Sequence, residues 1–366
     1  MLKSDIKTYV EPLGIARGLT ASDGRFLRIC DTDLLCAALK IITREKNKIS
    51  TEVVLIENLN DYLDAQSDIT RTSLEKTIKA ITRKRPALDL KKDRQINFDK
   101  PIIQGVLNVT PDSFSDGGTF VSHDNAVKGV RDMIDAGAKI IDIGGESTKP
   151  GAKIVSIEEE LKRVIPVIEN ISSLNTPISI DSRNAEVMRE AIAAGADIIN
   201  DVSALEHDPK SIDVVIETNA PVILMHAQGN PETMQDNPNY NFAVLDIYDY
   251  LKTRIEHCLR AGVAKEKIIV DPGIGFGKTV QHNLSLLAHI SVFHGLGVPI
   301  LVGVSRKSFI GKVTGEEEAA NRVYGSIAAA QHCVDHGIQI IRVHDVPETK
   351  QAFLIREEIL KNSRNI

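Results

Sequence analysis

Eight polar side chains occupy one kind of place in this sequence: Asn108, Glu146, Asp181, Asn200, His226, Asp271, Ser305 and His344 fall at or just past the ends of short β-branched runs. Carboxylates accept hydrogen bonds, an amide does both, and hydroxyl and imidazole groups adapt. Arg342 stands beside one of these ends and adds the positive charge that an anion would need. A single polar residue at a strand end is as often a helix cap or an arginine partner as a ligand contact. The same placement repeated along the chain is harder to explain that way.

These ends converge only if the runs are parallel strands of one sheet. The runs are IIQGVLN, KIIDIGG, PISID, DIIND, PVILMH, KIIVDP, PILVGVS and QIIRVHD, with helix-compatible stretches such as IEEELKRVIPVIENI and AEVMREAIAAG between them. Eight βα units predict a (β/α)₈ TIM barrel over residues 98–366, whose C-terminal strand ends share the rim where such barrels build active sites. Residues 1–97 lack this rhythm; STEVVLIE reads as strand and SLEKTIKAIT as helix, which gives a small α+β extension of unassigned role. The charged stretch from Lys91 to Lys100 reads either as a boundary or as the solvated face of an entry segment packed on the barrel floor.

A length of 366 residues suits one barrel plus a smaller unit, and 42% hydrophobic with 26% charged residues is an ordinary globular balance. The net charge of -6 offers no basic field for nucleic acid or an anionic membrane surface. No stretch reaches the roughly 18 apolar residues of a membrane span, and the opening MLKSDIKTYVEPLG lacks a signal-peptide core, so the expected location is cytoplasmic. Cys30, Cys36, Cys258 and Cys333 are too scattered for a zinc or redox motif and read as reduced and structural.

NVTPDSFSDGG, from Asn108 to Gly118, is longer than an ordinary connection after a first barrel strand. Its hydroxyls, aspartates and Gly-Gly suit a loop that closes over an anionic substrate, and GGESTKPGA repeats the pattern with Lys149 as its cation. Together with SIDS, IIND, DPGIGFGK, GVSRKS and RVHDV, in this order and spacing, these segments resemble the signatures of the dihydropteroate synthase family. The resemblance covers about Ile102 to Leu360. It implies a pterin-binding barrel that joins 6-hydroxymethyl-7,8-dihydropterin pyrophosphate to p-aminobenzoate and releases pyrophosphate, with Mg²⁺ as cofactor.

The resemblance also implies a division of roles. Asp181, Asn200, Met225, Asp271 and Lys307 hold the pterin, whose edges call for carboxylate acceptors and an amide. Asn108, Thr148, Arg342 and His344 meet the pyrophosphate, with Mg²⁺ at Asn108. Phe114, Thr148, Lys149, Pro150, Phe276 and Ser305 line the p-aminobenzoate pocket, and Asp181, Lys307, Arg342 and His344 are the expected catalytic set. Lys149 stands where the family usually has Arg, Ala227 where it usually has Met, and the extension is absent from the minimal enzyme.

A methyltetrahydrofolate-corrinoid methyltransferase would share pterin-edge residues such as Asp181 and Asn200 but have no use for the pyrophosphate segments. It would also carry a D-x-H-x-x-G cobalamin motif, which this chain lacks. A non-catalytic pterin-binding protein would not need every element of the reaction. Small residues in ANRVYGSIAAAQHCVDHG, suited to close helix contact, lead to the expectation of a homodimer.

Overall fold

The computed structural model describes residues 6–17, 24–109, 119–146, 155–229 and 233–362. Its main body is an eight-stranded parallel barrel of β7 (Ile102–Asn108), β8 (Ile140–Gly144), β9 (Ile178–Asp181), β10 (Ile198–Asp201), β11 (Val222–Met225), β12 (Ile268–Asp271), β13 (Leu301–Val302) and β14 (Ile340–Val343). Each strand pairs with its sequence neighbour, β14 returns to β7, and a parallel bridge between Val270 and Ile300 closes the ring. Every expected run holds a strand. The outer layer comprises α3 (Thr119–Asp135), α4 (Ile157–Ile171), α5 (Ala185–Ala194), α6 (Ser211–Thr218), α7 (Ala243–Arg260), α8 (Val280–Ala288), α9 (Ser308–Thr314), α10 (Val323–Asp335) and α11 (Val346–Asn362). Ser156 starts α4 by accepting the Glu159 N–H, and Gly195, at φ 126°, ends α5.

Alternation along the strands sorts the side chains. Ile141, Ile143, Ile178, Ile180, Ile199 and Ile341 belong to the core between strands and helices. Ile102, Ile140, Ile198, Ile223, Ile269, Leu301 and Ile340 form a separate cluster inside the barrel's lower end. That cluster is completed from below by Leu88, Ile96 and Phe98, contributed by a hairpin of β5 (Leu88–Asp89) and β6 (Gln95–Ile96) and the chain just after it. Arg94 pairs with the buried Asp197 at 2.6 Å and Lys91 Nζ donates to Ile192 O at 2.8 Å, so the charged stretch fastens the hairpin to the barrel floor. The hairpin lies before residue 97 in sequence, yet its side chains pack with the barrel.

The extension is an antiparallel sheet of β1 (Ile6–Arg17), β2 (Leu27–Arg28), β3 (Leu34–Glu45) and β4 (Lys48–Leu55), with α1 (Leu59–Asp64) and α2 (Asp68–Thr82). β1 and β3 pair along nearly their whole length, from Ile6 opposite Glu45 to Arg17 opposite Leu34. Val10, Leu39 and Ile41 face Leu74 and Ile81 of α2 in the extension's own core. Their neighbours Tyr9 and Ile42 join the barrel core instead, where Tyr9 meets Tyr248 of α7 edge-on at 5.3 Å. Two-residue alternation thus gives each strand one face for each body. All four cysteines are buried and unbridged, and no helix of the described residues is long and apolar enough to cross a membrane.

Candidate active site

Two residues above the isoleucine floor, the inward positions turn polar. Arg342 of β14 donates from Nε to Asp142 Oδ2 at 2.6 Å and from Nη2 to Asp181 Oδ2 at 2.7 Å, while Asn200 Nδ2 reaches both Asp142 oxygens at 3.2 and 3.3 Å. Asp142 is fully buried at the centre of this network. Burial and the neighbouring charge of Asp142 push Asp181 up to about 7, although Arg342 opposes them. Arg342 is held above its usual range because the attraction of Asp142 and Asp181 outweighs its own burial.

The loop after β12, DPGIGFGK, turns back against the end of β11. A Cβ on Gly273, at φ +67°, would lie 1.9 Å from His226 O, so glycine alone permits this approach. Gly273 N donates to Asp271 Oδ1 at 2.7 Å, and burial raises Asp271 to about 6 against that bond and the charges of Lys307, Lys278 and Arg342. Met225 lies opposite Asp271 in register and packs toward Gly273. Lys307 sits with its Nζ 4.0 Å from the centre of the Phe276 ring; burial, then Arg342, lower it to about 8.

Arg306 has a left-handed φ of 57° and forks onto Asp345, tying the GVSRKS loop to the RVHDV loop. In the same pair of loops Ser305 Oγ accepts the His344 N–H at 3.1 Å and lies 3.1 Å from His344 Nδ1. Burial, then the cations Arg342, Arg306 and Lys307, lower His344 to about 3. The imidazole is therefore neutral at neutral pH. With its backbone bond already accepted, the Ser305 hydroxyl can donate to Nδ1, which leaves Nε2–H as the ring's donor.

The expected site residues thus fall into three joined groups: Asp181, Asn200 and Arg342; Met225, Asp271, Phe276 and Lys307; and Ser305 with His344. Asn108 ends β7 beside Gly144, where a Cβ would lie 3.5 Å from Asp181 Cβ and 3.8 Å from Asn108 Oδ1. Phe114, Thr148, Lys149 and Pro150 lie outside the described residues. Two other rim residues serve the fold: Glu146 clasps Arg183 at 3.0 Å, and His226, lowered to about 2 mainly by burial, has its Nδ1 3.0 Å from Lys278 Nζ.

Asp142 is a site residue that the strand-end pattern misses, because it lies inside KIIDIGG and not at its end. Its signal was the two-residue spacing from Ile140, which puts both on the barrel's inner face. A basal cleft of about 1110 Å³, lined by Arg17, Lys139 and Arg356 among others, lies at the opposite end and contains none of the site residues.

Asn108 is the residue that would hold a magnesium ion at this rim. Its side-chain oxygen is neutral, hard and close to Asp181 and Gly144, and no cluster of three or more His, Cys, Asp or Glu residues among the described residues offers a rival metal cage. A site with one protein oxygen suits Mg²⁺, which keeps waters and takes phosphate oxygens as ligands.

A parallel barrel whose rim joins three aspartates, an asparagine, a lysine and an arginine has the make-up of a pterin-binding barrel enzyme. The family model described as pterin binding enzyme matches residues 104–344. Dihydropteroate synthase of Escherichia coli K12 is 49% identical over 271 residues, covering 74% of this chain and 95% of that protein. The Xanthomonas albilineans dihydropteroate synthase structure with 4-aminobenzoic acid superposes with a TM-score of 0.71 at 44% identity, covering 75% of this chain and 98% of that one. The Burkholderia cenocepacia enzyme complexed with 7,8-dihydropteroate gives 0.70 at 41% identity, over 76% and 98%. The chain belongs to the dihydropteroate synthase family and is a transferase.

Proposed function

We propose that the rim condenses 6-hydroxymethyl-7,8-dihydropterin pyrophosphate with p-aminobenzoate, forming a C–N bond, breaking the C–O bond to pyrophosphate and releasing one proton. The observation that carries this reading is the Arg342 fork across Asp142 and Asp181, with Asn200 on the same acid. It sets a phosphate-seeking cation beside acceptors that suit an aminopyrimidine edge.

Asp181, Asn200 and Asp271 bind the pterin's polar edges, Met225 packs beside them, and Lys307 contacts its acceptor atoms. Arg342, the neutral His344, Asn108 and Thr148 receive the developing charge of the leaving pyrophosphate. Asp142 holds Arg342 and Asn200 in place and is added to the expected set. Asp181, once ionised, stabilises positive charge on the exocyclic carbon as the C–O bond breaks. The aniline nitrogen attacks as a neutral amine, so no strong general base is required. Phe276 and Ser305, with Phe114, Thr148, Lys149 and Pro150, form the aminobenzoate end. Asn108 would hold Mg²⁺, which would supply charge neutralisation for the leaving pyrophosphate. The reading includes a cytoplasmic homodimer. Gly325 of α10 is already used against Ile310, so the exposed Tyr324, Ile355 and Ile359 of α10 and α11 are the better support for pairing.

The test is pyrophosphate release from purified protein with Mg²⁺. Release that requires both substrates is expected, and Asp181→Asn should lower kcat/KM roughly a hundredfold, from loss of a charge-assisted contact and of the field at the reacting carbon. Methyl transfer from methyltetrahydrofolate to a corrinoid, without pyrophosphate release, would move the chain to the methyltransferases.

A further inference from the structure

Among the described residues the extension supplies none to the rim, yet its contacts lead there. Arg44 of β3 donates from Nη1 to Asp246 Oδ1 at 2.6 Å in the first turn of α7, and its guanidinium lies 5.4 Å from the ring centre of Phe242, which caps that helix. The second oxygen of Asp246 accepts the Phe242 N–H at 2.9 Å. One carboxylate therefore joins the extension to the start of α7. The Arg44 and Asp246 side chains are 15% and 24% exposed, so water screens the pair only in part.

The segment between β11 and α7 continues this contact to the glycine-rich loop after β12. Tyr240, two residues before Phe242, donates its hydroxyl to Gly277 O at 2.7 Å, and Gln235 Nε2 donates to Gly275 O at 2.6 Å. These carbonyls flank Phe276, whose ring lies under Lys307. The loop has no slack against this same segment, since a Cβ on Gly277 would come within 2.4 Å of Gln228 O. The side chains of Tyr240 and Gln235 are thus supports for the loop that carries Phe276.

We propose that Arg44 is a positioning residue: through Asp246 the extension braces the β11–α7 segment, and that segment fixes Phe276 for the aminobenzoate. The assignment of the ligand rests on the function proposed above; the brace itself does not. The extension contributes geometry and no reacting group.

In the full-length protein, Arg44→Met keeps much of the packing over Phe242 and removes the charge. It should raise KM for p-aminobenzoate about three- to tenfold while kcat and the pterin KM stay within about twofold. Tyr240→Phe should give the same split, and the double variant little more than the larger single effect, because both act on one support. Arg44→Lys should recover most of the affinity, and it carries the comparison if the methionine variant does not fold. Lys7→Ala, which removes a neighbouring contact to Asp249, should leave KM unchanged. Independently of turnover, amide exchange at Gly275 to Lys278 should quicken in Arg44→Met. Unchanged exchange there overturns the brace, as do additive variants or an equal rise in both KM values. Wild-type protein that releases no pyrophosphate overturns the proposed reaction instead, and the exchange measurement still decides the brace.

Discussion

The two ends of the barrel interior are built from the same strands and do opposite work. On four strands the pairs Ile140 and Asp142, Ile198 and Asn200, Ile269 and Asp271, and Ile340 and Arg342 stand two residues apart on the inner face. The lower member joins an apolar plug with Leu88 and Phe98; the upper member joins a buried charged network. A shift of two residues, about 6.6 Å along a parallel strand, separates a stabilising environment from one that penalises charge. The floor is stabilised by apolar burial, and the rim tolerates Asp142, Asp181 and Arg342 because they pair with one another.

The largest expected effect comes from breaking that pairing. Arg342→Ala leaves Asp142 and Asp181 buried without their cation, which should cost about 3–5 kcal/mol of stability and at least about a hundredfold in turnover. Urea denaturation with an activity assay checks both. Adding Asp142→Asn should restore part of the stability but not the activity; a fully stable Arg342→Ala protein would show that the rim does not depend on charge pairing.

At the floor the two readouts should separate. Phe98→Ala removes the ring from beneath the barrel and should lower stability by about 3–5 kcal/mol, yet leave kcat/KM within about twofold at a temperature where the protein stays folded. A parallel loss of activity would mean that floor packing sets rim geometry, and the contrast between the two ends would fail.

The smallest effect is a pH dependence confined to the rim. Asp181 must be ionised to accept from the pterin, so kcat/KM should rise with pH through about 7, where this raised carboxyl loses its proton. Lys307 must keep its proton, so kcat/KM should fall above about 8. A rate profile measured from pH 5 to 10 checks the bell shape, and Asp181→Asn should flatten its acid limb. A profile unchanged by that substitution would remove Asp181 from the acid-side titration.

Legibility followed the range of the interactions involved. IIQGVLN coincides with β7 and IEEELKRVIPVIENI with α4, because pattern, cap and turn residues act within a few positions. The extension was less legible. STEVVLIE and SLEKTIKAIT read as strand and helix, but nothing local marks the long pairing of β1 with β3, which joins segments about 30 residues apart. The charged stretch allowed two readings until Arg94 was seen to reach Asp197. A strand-end pattern passes over Asp142, and only the barrel's interior shows that a mid-strand aspartate holds Arg342.

By itself the sequence determined the strand and helix periods, the polar residues at the strand ends and the ordered segments that carry the family resemblance. All of these are written in local order along the chain. Tertiary structure alone decided that Arg342 spans Asp142 and Asp181, that His344 is neutral, and that Arg44 of the extension reaches the helix behind the glycine-rich loop. The physical reason is that pairing, desolvation and leverage depend on distances between residues up to about 200 positions apart, and barrel closure sets those distances.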